Sequence, residues 1–181
     1  MNLNMESLYL IGERPAYSPQ IGHLIAMMDY ARHTTLETVQ GLSMKELDCV
    51  YDEESNSIGA LLMHFAAVEY LYQVHTFEER PLNEEETARW GHALDLGEAG
   101  RTRIKGHELD YYVSLLNEVR NKTYELFQAK TDDWLYEQRD FWYNRQANFY
   151  FMWFHVFEDE INHRGQIRWL KRRVREKLSK S

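Results

Sequence analysis

Four stretches of this chain repeat apolar residues at spacings of three and four, and that periodicity restricts it to packed helices before any other property is considered. The first runs from Pro19 or Gln20, with Ile21, Leu24, Ile25, Met28, Ala31, Thr35 and Val39 on one side, to a stop at Gly41. The second follows a cap at Ser57 and carries Ile58, Leu61, Leu62, Phe65, Val68, Leu71 and Tyr72, ending before Pro81. The third covers about 108–129, with Leu109, Tyr112, Val113, Leu116, Val119 and Leu126 as core candidates. The fourth runs from about Gln146 into the C-terminal tail.

The connections differ in kind. Ser43 followed by Glu46 has capping-box spacing and predicts one short helical turn. Residues 80–106 are acidic and punctuated by glycine, with a short helix expected over 84–92. A connection of that length lets the third long helix run parallel to the second. Residues 130–145 mix Trp134, Tyr136, Phe141, Trp142 and Tyr143 without helical period, which predicts an aromatic-rich loop or short hairpin over one end. Gly12, Pro15 and Pro19 make residues 1–19 an irregular arm. The expected fold is all-α: a single-domain four-helix bundle over residues 1–181 with one long crossover.

A chain of 181 residues can bury its core without staples. The single Cys49 excludes an intramolecular disulfide, and the N-terminus lacks the basic-then-apolar order of a secretory signal, so the cytoplasm is the expected address. No apolar run approaches the roughly 20 residues needed to span a bilayer, so no membrane partner is expected. Net charge is −8, yet residues 164–181 hold eight of the 21 Lys and Arg and one acid, Glu176. This basic end of the last helix complements a helix dipole. Nucleic acid is not the expected partner, because the acidic remainder would repel a phosphate backbone.

The chemistry is concentrated in His155-Val-Phe-Glu-Asp159-Glu160-Ile-Asn-His163-Arg-Gly-Gln166, together with His64 upstream. On a helical wheel with Asp159 at zero, His163 falls roughly 40° to one side and His155 roughly 40° to the other. Met152, Val156, Leu170 and Val174 lie at roughly 20° to 60°, which puts His163 in the apolar sector, Asp159 on its shoulder and His155 at the rim. His64 follows Leu61 by three residues and precedes Val68 by four, so it too faces the interior. Buried polar groups need partners. One reading pairs His64 with a backbone carbonyl or a tyrosine and leaves Asp159 and His163 as a helix-surface pair. The other joins all three on one divalent metal with a coordination position left open.

Two segments carry a family resemblance. Asn56-Ser-Ile-Gly-Ala-Leu-Leu-Met-His64-Phe-Ala-Ala-Val-Glu69 resembles the second-helix ligand segment of the DinB/YfiT-like superfamily of metal-dependent four-helix bundles. Asp159-Glu160-Ile-Asn-His163-Arg164-Gly165-Gln166-Ile167 resembles its His-Glu-x-x-His-Arg-Gly-Gln helix. The resemblance covers most of residues 20–175 and implies His64, Asp159 and His163 as metal ligands. Position 159 departs from the family's usual His. An acidic residue stands there in some relatives, the mycothiol-dependent isomerase among them. A carboxylate ligand widens the choice from Zn or Ni toward Zn, Mn or Fe. His155 is the alternative ligand, disfavoured because it lies two turns, roughly 12 Å, from His163. Gln166 resembles a position that supports a ligand from behind or contacts a neighbouring helix, and Gly165 suggests close backbone packing.

The resemblance implies an enzyme that transfers a low-molecular-weight thiol cosubstrate to a small-molecule electrophile, or uses that thiol in an isomerisation. Trp142, Tyr143 or Trp153 would wall the pocket, and Glu160 is the nearest candidate for a general base. The alternative is a non-enzymatic metal-binding or structural homodimer. A homodimer is expected from the family's habit and from an aromatic content, five Trp and twelve Tyr, that exceeds what one core needs.

Overall fold

The computed structural model describes residues 7–180. Helix α1 spans Pro19–Val39 and a short α2 Met44–Asp48. The second long helix, α3, covers Ile58–Gln73 and widens into a π-turn over Val74–Glu78. Two short helices, α4 over Glu84–Asp95 and α5 over Gly97–Arg103, lie within the crossover. Next come α6 over Leu109–Gln128, α7 over Asp132–Leu135, a two-stranded hairpin (β1 Gln138–Phe141, β2 Arg145–Asn148) and α8 over Phe149–Leu178. The first six residues of the expected arm lie outside the described residues; its remainder is irregular apart from turns starting at Ser7 and at Arg14.

Local signals fix most of the ends. The Ser43–Glu46 box is complete, with Ser43 N–H donating to Glu46 at 2.8 Å and the Glu46 N–H donating back to the Ser43 hydroxyl. Ser57 accepts from the Ala60 N–H at 3.1 Å, and Gly41 takes the left-handed conformation past α1. The cap of α1 is tertiary: Asp132 on α7 accepts the N–H groups of Gln20 and Ile21 and the Ser18 hydroxyl. The last long helix starts at Phe149 rather than near Gln146, because residues 145–148 pair with β1 and Asn148 supplies the cap. Of the α6 candidates, Leu109, Val113 and Leu126 are only half-buried. The buried stripe passes instead through Leu115, Arg120, Thr123 and Phe127.

Contacts along the helices give their directions. Tyr112, Arg120 and Phe127 of α6 meet Gly59, Glu69 and Phe77 in the same order, so α6 runs parallel to the α3 segment, as the long crossover implies. His64, Tyr72 and Thr76 meet His163, His155 and Trp153, so α8 runs antiparallel to α3. Arg32 and Thr38 meet Glu160 and Lys171, which makes α1 and α8 parallel.

A charged layer crosses the centre. Arg32 donates to Glu160 at 3.0 Å and Glu69 at 3.1 Å, Arg120 donates to Glu69 at 2.6 Å, and Thr123 closes on the same carboxylate at 2.7 Å. All four long helices contribute, since Asp29 on α1 accepts from the Tyr124 hydroxyl of α6 beside Arg120.

The basic end of α8 is used within the fold: Lys171 donates to the Thr38 carbonyl in the last turn of α1, and Arg175 pairs with Glu46. Among the described residues no helix is long and apolar enough to cross a membrane. Gly165 is not a close-packing site: a Cβ there would meet nothing within 4 Å. Gly165→Ala is therefore expected to stabilise the protein by about 0.5–1 kcal/mol, through the lost flexibility of glycine in a helix. A melting temperature about 1–4 °C higher would register it.

Candidate metal centre

The α3 helix is buried nearly all round, so His64 enters the interior, 7 % exposed. Its Nδ1 lies 2.8 Å from the Ala93 carbonyl on α4. A carbonyl only accepts, so Nδ1 carries the proton and Nε2 presents its lone pair. That Nε2 lies 3.2 Å from Asp159 Oδ2, while His163 Nε2 lies 3.4 Å from Asp159 Oδ1. The two readings of His64 therefore hold together: one ring nitrogen is satisfied by backbone and the other faces the cluster.

Ligand atoms about 2.1 Å from a tetrahedral ion sit roughly 3.4 Å apart. In this group one atom from each of His64, Asp159 and His163 lies within 4.8 Å of the others, a spacing that can hold one ion. Asp159 Oδ2 and His163 Nδ1 are buried with no hydrogen-bond partner, so the short approach to His64 leaves that oxygen unsatisfied. A cation accepted by Oδ2 and the two Nε2 atoms would remove this cost. Two neutral imidazoles and one carboxylate also carry the single negative charge that suits a divalent ion.

Burial opposes the charge of Asp159, but His163 and His64 beside it hold its carboxyl well below the usual carboxylate range. Burial likewise works against protonated His163, and Asp159 overcomes it to raise the imidazole above its ordinary value, with Gln166 acting in the same direction.

The other candidates fall elsewhere. His155 stands one turn before Asp159, its Nδ1 3.1 Å from Glu158 and its ring edge-on to Trp142 at 4.7 Å, outside the cluster of three. Glu160, roughly 100° round the helix from Asp159, points into the middle of the buried sector, 1 % exposed and held by Arg32, and is not free to act as a base. The buried sector of α8 also takes in Trp153, Phe157 and Arg164, at roughly 120° to 160° on the wheel. Met152, Val156, Leu170 and Val174 mark only one edge of it, because α8 packs against both α1 and α3. His163 and Asp159 thus sit at the margin, at the wall of a cleft of about 650 Å³.

Trp142 lines that cleft; Trp153 is buried in the core, and Tyr143 faces solvent at 92 % exposure. Tyr72, His75, Asp140 and Phe141 line it too and were not expected. The signal for His75 was present: eleven residues after His64, it returns to within roughly 20° of the same helix face.

The family model for mycothiol-S-transferase matches residues 23–177, a range containing all three cluster residues. The chain belongs to the mycothiol-S-transferase family. Its fold is shared by a conserved protein of Enterococcus faecalis known from a crystal structure, 17 % identical, with a TM-score of 0.67 over 83 % of this chain and 94 % of that one. Among curated protein sequences, none matches. The structural likeness speaks for the fold alone, whereas the family match covers both cluster-bearing helices. Within this mycothiol-S-transferase family chain, the cluster is the inner end of a pocket.

Proposed function

We propose that the protein is a divalent-metal-dependent S-transferase that joins a low-molecular-weight thiol to a small electrophile, with His64, Asp159 and His163 as the protein ligands. The observation that carries this reading is the convergence of two imidazole Nε2 atoms on one carboxylate whose Oδ2 is buried and unsatisfied, at the inner end of a cleft. Three protein ligands leave a position open, and a divalent ion held there would lower the pKa of a thiol so that it reacts as thiolate at neutral pH.

The residues supply the rest. The Ala93 carbonyl fixes the tautomer of His64, and Asp159 balances charge between the two rings. The apolar side chains Val68, Leu71 and Leu94 lower the access of water to the reacting sulfur. The mixed donor set favours Zn, Mn or Fe over a strictly imidazole-selective metal such as Ni.

Protein purified from cells supplied with Zn, Ni, Mn and Fe is expected to carry one divalent ion per chain, measured by metal analysis. Consumption of mycothiol, bacillithiol or glutathione against a panel of electrophiles should depend on that ion. Absence of bound metal under all four supplies would refute the reading; bound metal without thiol consumption would leave only a metal-binding bundle.

One observation favours the second reading, a structural homodimer. The outer face of α8 exposes Phe151, Phe154, Ile161 and Trp169, each 40 % exposed or more. Such a stripe is more apolar than a solvated helix face needs to be. Under this reading sedimentation reports a dimer, and chelation lowers the melting temperature sharply with no thiol transfer to lose.

A further inference from the structure

We propose that the outer half of the cleft is a binding subsite for an uncharged, planar aromatic electrophile, held against Trp142. The proposal rests on the S-transferase reading for its chemistry, and on the walls of the cleft for the class of ligand.

A volume of about 650 Å³ is far more than an ion and its remaining ligands need, and falls in the range that encloses a small organic molecule. The inner end holds His64, Asp159 and His163. His155 follows one turn away on α8, roughly 6 Å along the helix axis, and there the wall becomes aromatic. Trp142 stacks on Phe141 at 4.6 Å and meets the edge of His155 at 4.7 Å. Tyr72 backs His155 from α3 at 6.0 Å. The indole is thus fixed by its neighbours yet remains 52 % exposed, an anchored ring with surface left for another ring.

The backbone holds this arrangement at a cost. Between the paired residues Phe141 and Arg145, Tyr143 and Asn144 both take the left-handed conformation, at φ 58° and 56°. That region is uncommon for a bulky aromatic residue. The reversal sends Tyr143 out to solvent and leaves Trp142 on the cleft wall.

Charge selects the ligand further. The lining includes Asp140 and Asp159 but no Lys or Arg. Two cations near the hairpin are already neutralised, Arg139 by Glu79 and Glu137 and Arg80 by Glu78 and Glu86, and Arg145 on β2 lines a neighbouring cleft and not this one. A ring bearing a carboxylate would find no permanent cation in the outer cleft, only the imidazoles of His75 and His155, and would face Asp140. An uncharged ring loses nothing there.

With 1-chloro-2,4-dinitrobenzene as the electrophile, the thiolate sulfur forms a bond to the ring carbon bearing chlorine. The carbon–chlorine bond breaks with its electron pair, chloride leaves, and the proton of the thiol passes to solvent. Nothing is oxidised or reduced.

Binding can be read without turnover by calorimetric titration of the full-length protein with 1,3-dinitrobenzene, which has no leaving group. Saturable binding is expected, weakened about tenfold in Trp142→Ala and largely restored in Trp142→Phe, the size of one lost aromatic contact. In transfer assays, kcat/KM for 1-chloro-2,4-dinitrobenzene should exceed that for 4-chloro-3,5-dinitrobenzoate by about tenfold or more. Equal affinity of wild type and Trp142→Ala for 1,3-dinitrobenzene, or equal use of the carboxylate-bearing ring, would overturn the proposal. Trp142-dependent binding in a protein that transfers no thiol to any electrophile would instead remove the S-transferase reading and leave the subsite standing.

Discussion

Replacing His163 by alanine is expected to weaken metal binding by at least about a hundredfold, beyond the ten- to hundredfold that outer contacts of a metal site contribute, while the bundle stays folded. His163 lies at the margin of the buried sector, and its removal leaves the charged layer around Glu69 untouched. Competition titration with a chromogenic chelator, beside circular dichroism, would measure both halves of the expectation.

The pH dependence carries a sign that separates metal-free from metal-loaded protein. Without metal, the raised pKa of His163 contributes stability that is complete below its ordinary value of 6.5 and lost as pH rises through the folded value. The depressed pKa of Asp159 contributes stability that is present above its ordinary 3.8 and lost as pH falls through the folded value. The pair therefore stabilises the metal-free protein at mildly acidic pH. Metal must displace the proton from His163, so the rise in melting temperature on adding Zn should grow as pH increases. A metal-induced rise that shrinks with increasing pH would contradict His163 as a ligand. Asp159→His, which exchanges the oxygen ligand for a third imidazole, should shift preference away from Mn and toward Zn or Ni.

Glu69→Ala is expected to destabilise the fold by about 3–5 kcal/mol, the cost of leaving buried charges uncompensated. Glu69 is 0 % exposed and accepts from Arg32, Arg120 and Thr123. Burial acts to raise its pKa, and Arg120 and Arg32 outweigh it, holding the carboxyl below the usual range. The contribution is therefore present above the ordinary value of 4.5 and lost as pH falls from there through the lower folded value. Urea unfolding at neutral pH measures the loss. A cost under about 1 kcal/mol, typical of exposed pairs, would mean that the layer is hydrated. The layer also ties α8 to α1 through Glu160, one residue from Asp159, so its integrity bears on how the metal cluster is presented.

The four long helices were legible because their cores repeat at helical spacing and their starts carry local chemistry, as at Pro19 and Ser57. The pairing of Asp159 with His163 was legible for the same reason, since i and i+4 share a face on any helix, whereas the meeting of His64 with them was implied by the family resemblance and was one of two open readings from the residues alone. The π-turn over Val74–Glu78 and helices α5 and α7 were not, because each is short and depends on what it packs against. Arg32, Glu69 and Arg120 were the least legible. A charged residue read alone belongs in solvent, and nothing within a few positions of any of them shows that partners 37 to 128 residues away will be buried beside it.

Sequence by itself determined the class of fold, allowed the parallel course of the helix after the crossover and put His64, Asp159 and His163 on inward faces, all consequences of period, length and short-range geometry; their union on one ion was implied by the family resemblance. Only the tertiary structure decided that Glu160 belongs to a charged layer and not to the cluster, that His155 joins the aromatic wall, and that Trp142 faces the cleft while Tyr143 leaves it. Those outcomes depend on how far α8 is covered by two neighbours at once, and on a hairpin whose reversal fixes which ring turns inward. Helix–helix packing and backbone turn geometry set both, and neither is encoded in the spacing of residues along one element.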